Sequence, residues 1–315
     1  MGWGFDGGSV LVTGGAGFVG SHLVERLLGE DGERSEADAE PDGTSVTVLD
    51  DGSTGDLDRI PDDATVIQGD VRDPMALDAA GDPDVIFHQA AVASVERSVE
   101  TPLTTNHVNV RGTLAVLERA READARVVLA SSAAIYGRPD DVPIPEFAPK
   151  RPLSPYGVEK LACDRYVRAY VENYGLEAVA LRYFNVYGPR GTTGSYAGVI
   201  GAFCRQQRAG GPLVVHGNGD QTRDFVHVSD VVEANLLAAE HGEPGEAYNV
   251  GTGDSTSIHE LAEAVRELTG ATVDIVHEDR RSGDIDHSRA DVRKARTELG
   301  FEPRVGLEAG LQTVL

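Results

Sequence analysis

Short apolar runs alternate with stretches of helical period through the first 180 or so residues. Ser9-Val10-Leu11-Val12, Val46-Thr47-Val48-Leu49, Thr65-Val66-Ile67-Gln68, Asp84-Val85-Ile86-Phe87-His88, Arg126-Val127-Val128-Leu129-Ala130 and Ala178-Val179-Ala180-Leu181-Arg182 are six such runs. Each is short and mostly apolar, and most are rich in β-branched residues and bounded by glycine, aspartate or serine, the pattern of a strand in a parallel sheet. Between them, Leu23, Leu27 and Leu28 keep a helical period, as do the residues from Leu103 to Ala120 and those after Pro155. Strand and helix in strict alternation predict an α/β fold with a doubly wound parallel sheet. Residues 29–44 are acidic, glycine- and proline-bearing and without apolar period, which predicts an exposed loop. After Tyr183 the elements shorten, with helical segments around Val231–Ala239, Ile258–Leu268 and Val292–Leu299. The expected division is residues 1–182, with 222–242 returning to that unit, and a smaller α/β region over 183–315 that closes a cleft.

The first strand runs into Thr13-Gly14-Gly15-Ala16-Gly17-Phe18-Val19-Gly20 and then a helix. Strand, glycine turn, helix is the context of a dinucleotide-binding (Rossmann) turn. Gly14 permits the turn, Gly17 lets a pyrophosphate approach the helix N-terminus, and Gly20 allows close packing of helix on strand. The second strand ends at Asp50, an acid placed to bond an adenosine ribose and to repel a 2′-phosphate. Its distance from the glycines exceeds the usual ~20 residues, and the 29–44 insertion accounts for the excess. Asp51 adds a second charge, so NAD is expected over NADP. The small residues Ala90 and Ala91 after the fourth strand suit close approach of the cofactor. His88 there is expected to be a hydrogen-bonded structural histidine.

Charge changes the picture of partners. The chain has 52 acidic and 28 basic residues, net −24, with lysine only at 150, 160 and 294. Such a surface repels nucleic acid and anionic membranes. The acids are scattered rather than blocked into a tail, which points to a folded protein kept hydrated in high salt, where self-repulsion is screened. No apolar run is long enough to span a bilayer and no signal-peptide pattern stands at the N-terminus. The two cysteines, Cys163 and Cys204, have neither disulfide-framework nor metal spacing, so idle thiols, a cytoplasmic location and no metal are expected.

Candidate chemistry gathers at Ser154-Pro155-Tyr156-Gly157-Val158-Glu159-Lys160. Tyr156 and Lys160, four apart, share one helix face. A phenol, with an ordinary pKa of about 10, becomes a usable base when an ammonium nearby favours the phenolate. Ser131 and Ser132, at the end of the fifth strand, supply hydroxyls. Further on, arginines sit in glycine-rich turns at Gln221-Thr222-Arg223-Asp224 and Arg280-Arg281-Ser282-Gly283-Asp284. In so acidic a chain they suggest anion recognition, since the guanidinium fork suits phosphate; the alternative is salt bridges to Asp224 and Asp284.

Together these residues resemble the extended short-chain dehydrogenase/reductases, and within them the NAD-dependent UDP-sugar 4-epimerases. The matches include Thr13 to Gly20, Asp50, Asp70-Val71, His88 to Ala91, Asn109, Ser131-Ser132, Tyr156, Lys160, Arg182 to Pro189, His216 to Gly219, Gln221 to Val228 and Arg281 to Asp284. The resemblance implies that Gly14, Gly17, Phe18, Val19 and Gly20 hold the pyrophosphate, Asp50 the ribose, Asp70 and Val71 the adenine, and Lys160 the nicotinamide ribose, with Ala90, Asn109 and Tyr156 also in the cofactor site. It implies that Asn185, Arg223 and Arg281 hold the UDP diphosphate, that Ser132, Tyr156 and Lys160 are catalytic, and that Ser132 and Ser288 border the sugar. A small residue at 288 leaves room for an N-acetyl group. A homodimer joined by the helices containing Asn109 and Tyr156 is also implied.

The expected reaction is inversion at C4 of a UDP-hexose through a 4-keto sugar. Sugar-nucleotide dehydratases and decarboxylases share the scaffold but carry carboxylates where this chain has Ala133 and Ala134. A non-catalytic NAD sensor would not need Ser132, Tyr156 and Lys160 together. A dehydrogenase would release NADH.

Overall fold

A computed structural model describes residues 8–29, 43–192, 197–270, 273–280 and 283–315. The insertion expected as a loop at 29–44 falls almost wholly outside them. The strands are β1 (Ser9–Thr13), β2 (Ser45–Asp50), β3 (Thr65–Gln68), β4 (Val85–His88), β5 (Arg126–Ser132), β6 (Ala178–Tyr183), β7 (Asn185–Tyr187), β8 (Leu213–His216), β9 (Thr222–Arg223), β10 (Phe225–His227), β11 (Ala247–Val250), β12 (Thr256–Ser257) and β13 (Ile275–Glu278). Seven of them form one parallel sheet in the order β11-β6-β5-β4-β1-β2-β3. This is a doubly wound Rossmann sheet. The order reverses between β1 and β4, so the helices that follow these two strands pack on opposite faces and a crevice opens at the strands' carboxyl ends.

Two apolar cores flank the sheet. On one face Val10, Val12, Val46, Phe87 and Leu181 pack with Leu23, Val24 and Leu27 of the Phe18–Leu28 helix and with Val231, Val232 and Leu236 of the Val228–His241 helix. On the other, Leu11, Ile86, Val127 and Leu129 meet Val116, Leu117 and Ala120 of the Gly112–Ala123 helix and Cys163, Val167 and Tyr170 of the Pro155–Tyr174 helix. A third core, with Phe203, Leu213, Val215, Leu261 and Val265, lies between the Val199–Arg208 and Ile258–Thr269 helices and β8.

The seventh strand, β11, was not among the six apolar runs. It pairs with β6 as Ala247↔Ala180 through Val250↔Tyr183. With the Val228–His241 helix and with Ala295, Leu299 and Phe301 in the first core, the return of the chain to the large sheet extends well beyond residue 242. The helical stretch expected from Leu103 to Ala120 is also more complex. It runs as Pro102–Asn106, a widened π turn at His107–Arg111, and Gly112–Ala123. Wide turns of this kind often mark places where a side chain is aimed for function, and here the turn carries Asn109.

Candidate active site at the switch point

The glycine turn is tight enough that only glycine fits. Gly14 has φ +73°, and a Cβ on it would lie 2.5 Å from the Ala90 nitrogen. A Cβ on Gly20 would lie 2.1 Å from the Gly14 oxygen. The turns after β1 and β4 therefore touch through Gly14 and Ala90, while Gly17 caps the Phe18–Leu28 helix without a side chain. The first-turn amides of Phe18, Val19 and Gly20 have no carbonyl a turn earlier in the helix, which is the donor array an anion needs.

Asp50 ends β2 beneath this turn. One carboxylate oxygen accepts the Ala16 N–H at 3.0 Å and the other the Gly52 N–H at 2.9 Å. Burial raises its pKa, against those bonds. Asp70 is held by Arg72, whose Nε reaches its two oxygens at 2.8 and 3.0 Å and keeps its pKa low. Val71 is buried against Gly112. A cavity of about 280 Å³ opens beside them, lined by Asp70, Arg72, Asp73, His107 and Arg111. Glycine cradle, helix amides, strand-end acid and this recess fit a dinucleotide in residue type and in placement.

The serine, tyrosine and lysine come together at the end of β5. Ser154 caps the Pro155–Tyr174 helix by accepting the Gly157 N–H at 3.1 Å. Pro155 at the first helical position suits its fixed φ. A Cβ on Gly157 would lie 2.8 Å from the Ala134 oxygen, so this helix start sits directly on the turn that follows Ser132. Ser132 accepts the Ala134 N–H at 3.1 Å, leaving its hydroxyl proton to donate elsewhere. Tyr156 and Lys160 are buried, 8% and 5% exposed. Lys160 Nζ donates to the Ala130 carbonyl at 2.8 Å. Burial lowers its pKa, while Cys163 and Glu159 pull it up.

Asn109 bridges two elements of the site. Its Oδ1 accepts the Val92 N–H at 2.8 Å, and its Nδ2 donates to the Val92 carbonyl at 3.1 Å and to Glu159 at 2.6 Å. It ties the turn after β4 to the tyrosine helix. His88 is a structural residue, as expected. Thr113 donates to the Asn109 carbonyl at 2.6 Å, so its oxygen accepts from His88 Nε2 at 3.0 Å, and Thr13 donates to His88 Nδ1 at 2.7 Å. Burial pushes its pKa down to about 3.

Sequence reasoning missed the pair beneath Ser131. Ser131 donates to Asp164 at 3.1 Å, and Arg182 grips Asp164 at 2.8 and 2.9 Å. Arg182 also donates to Tyr136 and to the Glu146 carbonyl. This fixes β5, β6 and the tyrosine helix as one unit. The Arg182 match in the sequence was the available signal. A cavity of about 620 Å³ beyond this pair holds none of the candidate site residues.

On the substrate side, Asn185 opens β7 and donates its N–H to the Asp224 carbonyl at 3.0 Å. Arg223 is ion-paired with Asp284. This is the salt-bridge alternative to anion recognition, realised through Asp284. Asp224 is instead a fully buried hub that accepts from Thr252, Gly253 and Ala290. Burial lowers the Arg223 pKa. Ser288 is buried and donates its N–H to the Thr222 carbonyl at 3.1 Å, next to Arg223. Arg281 lies outside the described residues. Among the described residues no cluster of histidine, cysteine or acid suits a metal ion, and no helix is long and apolar enough to cross a membrane.

A Rossmann sheet with this glycine cradle, strand-end acid and Ser-Tyr-Lys group defines an NAD-binding short-chain dehydrogenase/reductase-type protein. The model of the NAD dependent epimerase/dehydratase family matches residues 10–251, and the chain belongs to that family; its cofactor is NAD. It is 38% identical over 310 residues to the UDP-glucose 4-epimerase of Mycolicibacterium smegmatis, covering 96% of this chain and 95% of that one. The crystal structure of a Thermotoga maritima UDP-glucose 4-epimerase with UDP-glucose superposes with a TM-score of 0.90 at 36% identity, over 97% of each chain. A UDP-N-acetyl-alpha-D-glucosaminuronate decarboxylase of Bacillus cytotoxicus is 32% identical, over 97% of this chain and 96% of its own.

Proposed function

We propose that this chain inverts the configuration at C4 of a UDP-hexose, as a NAD-dependent 4-epimerase of the UDP-glucose/UDP-galactose kind. The observation that carries the reading is the turn after Ser132. The helix that carries Tyr156 starts against the turn after Ser132, Lys160 donates to the Ala130 carbonyl, and the two positions that follow the serine are Ala133 and Ala134. Loss of water or carbon dioxide from a 4-keto sugar calls for a carboxyl group there, which favours epimerisation over the decarboxylase chemistry of the Bacillus relative.

Tyr156 takes the proton of the sugar 4-hydroxyl, and Ser132, with its hydroxyl proton free, bonds the same oxygen. Lys160, fixed on the Ala130 carbonyl, favours the phenolate by its charge. Bound NAD supplies hydride acceptance from C4 and return to the opposite face, so it is regenerated in each cycle. Asn185, Arg223 and Arg281 anchor the diphosphate while the sugar turns over. For Arg223 this means exchanging Asp284 for phosphate. Two further parts of the proposal concern the surface. Val95, Val99, Leu103 and Val158 are exposed apolar residues on the helical segments around Asn109 and Tyr156, which supports a homodimer joined there. The net charge of −24 supports function in concentrated salt.

The test is Tyr156→Phe, which deletes the base with little change of volume. Turnover of a UDP-hexose should fall about 10²–10⁴-fold, with NAD still bound. Near-normal epimerisation in this variant would sink the mechanism.

A further inference from the structure

Two buried charges next to each other in the chain have no direct counter-ion among the described residues. Lys160 donates to one carbonyl, Ala130, and Glu159 accepts Thr105 Oγ1 at 2.7 Å and Asn109 Nδ2 at 2.6 Å. Glu159 is 2% exposed, and among the described residues neither it nor Lys160 has an ion-pair partner within 4 Å. A buried carboxylate satisfied only by neutral donors is expensive, and so is a buried ammonium on a single carbonyl. Each becomes tolerable if the other is its counter-charge across the helix backbone.

We propose, building on the epimerase reading, that Glu159 is a positioning residue: its fixed negative charge, clamped by Thr105 and Asn109, keeps Lys160 an ammonium beside Tyr156. The surroundings support this assignment. On the same helix Asp164 is already neutralised by Arg182, and Cys163 is a buried thiol that burial pushes up in pKa. From β4, His88 is neutral and hydrogen-bonded at both nitrogens. From β5, the facing groups are the Ala130 carbonyl and the neutral hydroxyls of Ser131 and Ser132. From the 102–111 segment, Thr105 and Asn109 are neutral. Glu159 is therefore the carboxylate left to compensate Lys160; Cys163 and then Glu159 draw the lysine's pKa upward against burial. Because Asn109 also holds Val92 at both backbone atoms, the same carboxylate fixes the turn after β4 relative to the tyrosine helix.

With lysine only at 150, 160 and 294, the side chain can be watched directly. In NAD-loaded enzyme labelled with ¹³C at lysine Cε, the three signals are assigned by Lys150→Arg and Lys294→Arg and titrated. Glu159→Gln should lower the Lys160 pKa by about one unit or more, the effect of removing an opposite charge at this range. Glu159→Asp should restore most of it, and Thr105→Val, which drops one bond but keeps the charge, should leave it in place. The alkaline limb of the kcat profile should move down with Glu159→Gln. If that variant does not fold, Glu159→Thr is the second neutral replacement, with a hydroxyl to accept from Asn109. An unmoved Lys160 titration in the neutral variant overturns the proposal, as does an equal shift in Thr105→Val. The titration is read without turnover, so failure of the epimerase assignment would leave it interpretable.

Discussion

Acidification should expose the histidine beneath the cofactor turn. His88 is 2% exposed and is held as a neutral ring by Thr13 at 2.7 Å and Thr113 at 3.0 Å. Its pKa is about 3, against an ordinary value of 6.5. The sign follows from proton counting: between those values the unfolded chain binds the proton and the folded chain does not. Stability from His88 is therefore complete above pH 6.5 and is lost as pH falls toward 3. Each pH unit inside that window is about 1.4 kcal/mol, so lowering the pH from 6.5 to 5 should remove about 2 kcal/mol. His22, also lowered by burial, adds to the slope. Asp50, Glu146 and Asp224, raised by burial, oppose it lower in the range. The assay is urea unfolding followed by far-ultraviolet circular dichroism at fixed high salt, in steps from pH 7.5 to 5. His88→Gln, which cannot titrate, should be less stable at pH 7.5 but lose about 2 kcal/mol less than the parent on acidification. Screening of the −24 charge is common to both proteins, so the difference isolates the histidine. Parallel stability profiles would refute the argument.

Two further outcomes follow from the sites. Asp50 lies under the turn with Asp51 beside it, so the protein should be purified with NAD and should bind NADP at least tenfold more weakly; equal affinities measured by calorimetry would contradict this. Ser288 is small, buried and adjacent to Arg223, so UDP-N-acetylglucosamine should be accepted beside UDP-glucose, and Ser288→Tyr should shift the kcat/KM ratio toward the plain sugar. A wild type that ignores the N-acetyl substrate, or a tyrosine variant with an unchanged ratio, would remove Ser288 from the sugar site.

What could be read from the chain was whatever is written locally. Five of the six apolar runs are strands with both faces largely buried, which leaves an unbroken apolar signature; the other, β3, is an exposed edge strand whose Val66 is 43% exposed. The glycine turn was legible because its spacing is dictated by contacts within a few residues, Gly20 against Gly14. Tyr156 and Lys160 share a helix face by periodicity alone. What could not be read depends on partners far apart in sequence. β11 is Ala-Tyr-Asn-Val, too mixed to announce a strand. Its Asn249 is buried because Ile144 and Tyr136, over 100 residues earlier, satisfy its amide. Asp164, on the tyrosine helix, and Arg182, on β6, are brought together only by the packing of that helix on the sheet. Glu159 lies on the helix that carries the tyrosine, and only the packing of the 102–111 segment shows it buried. Arg223 pairs with Asp284, 61 residues on, while its chain neighbour Asp224 is taken up by backbone amides, a pairing that only the fold shows.

The central claim is a C4 inversion with no net redox change. It is tested most directly by incubating the NAD-loaded protein with UDP-glucose, following proton NMR of the sugar and absorbance at 340 nm together. UDP-galactose should grow to an equilibrium mixture with no accumulation of NADH and no release of carbon dioxide or water from the sugar. Stoichiometric NADH, or a product altered at any position other than C4, would contradict it.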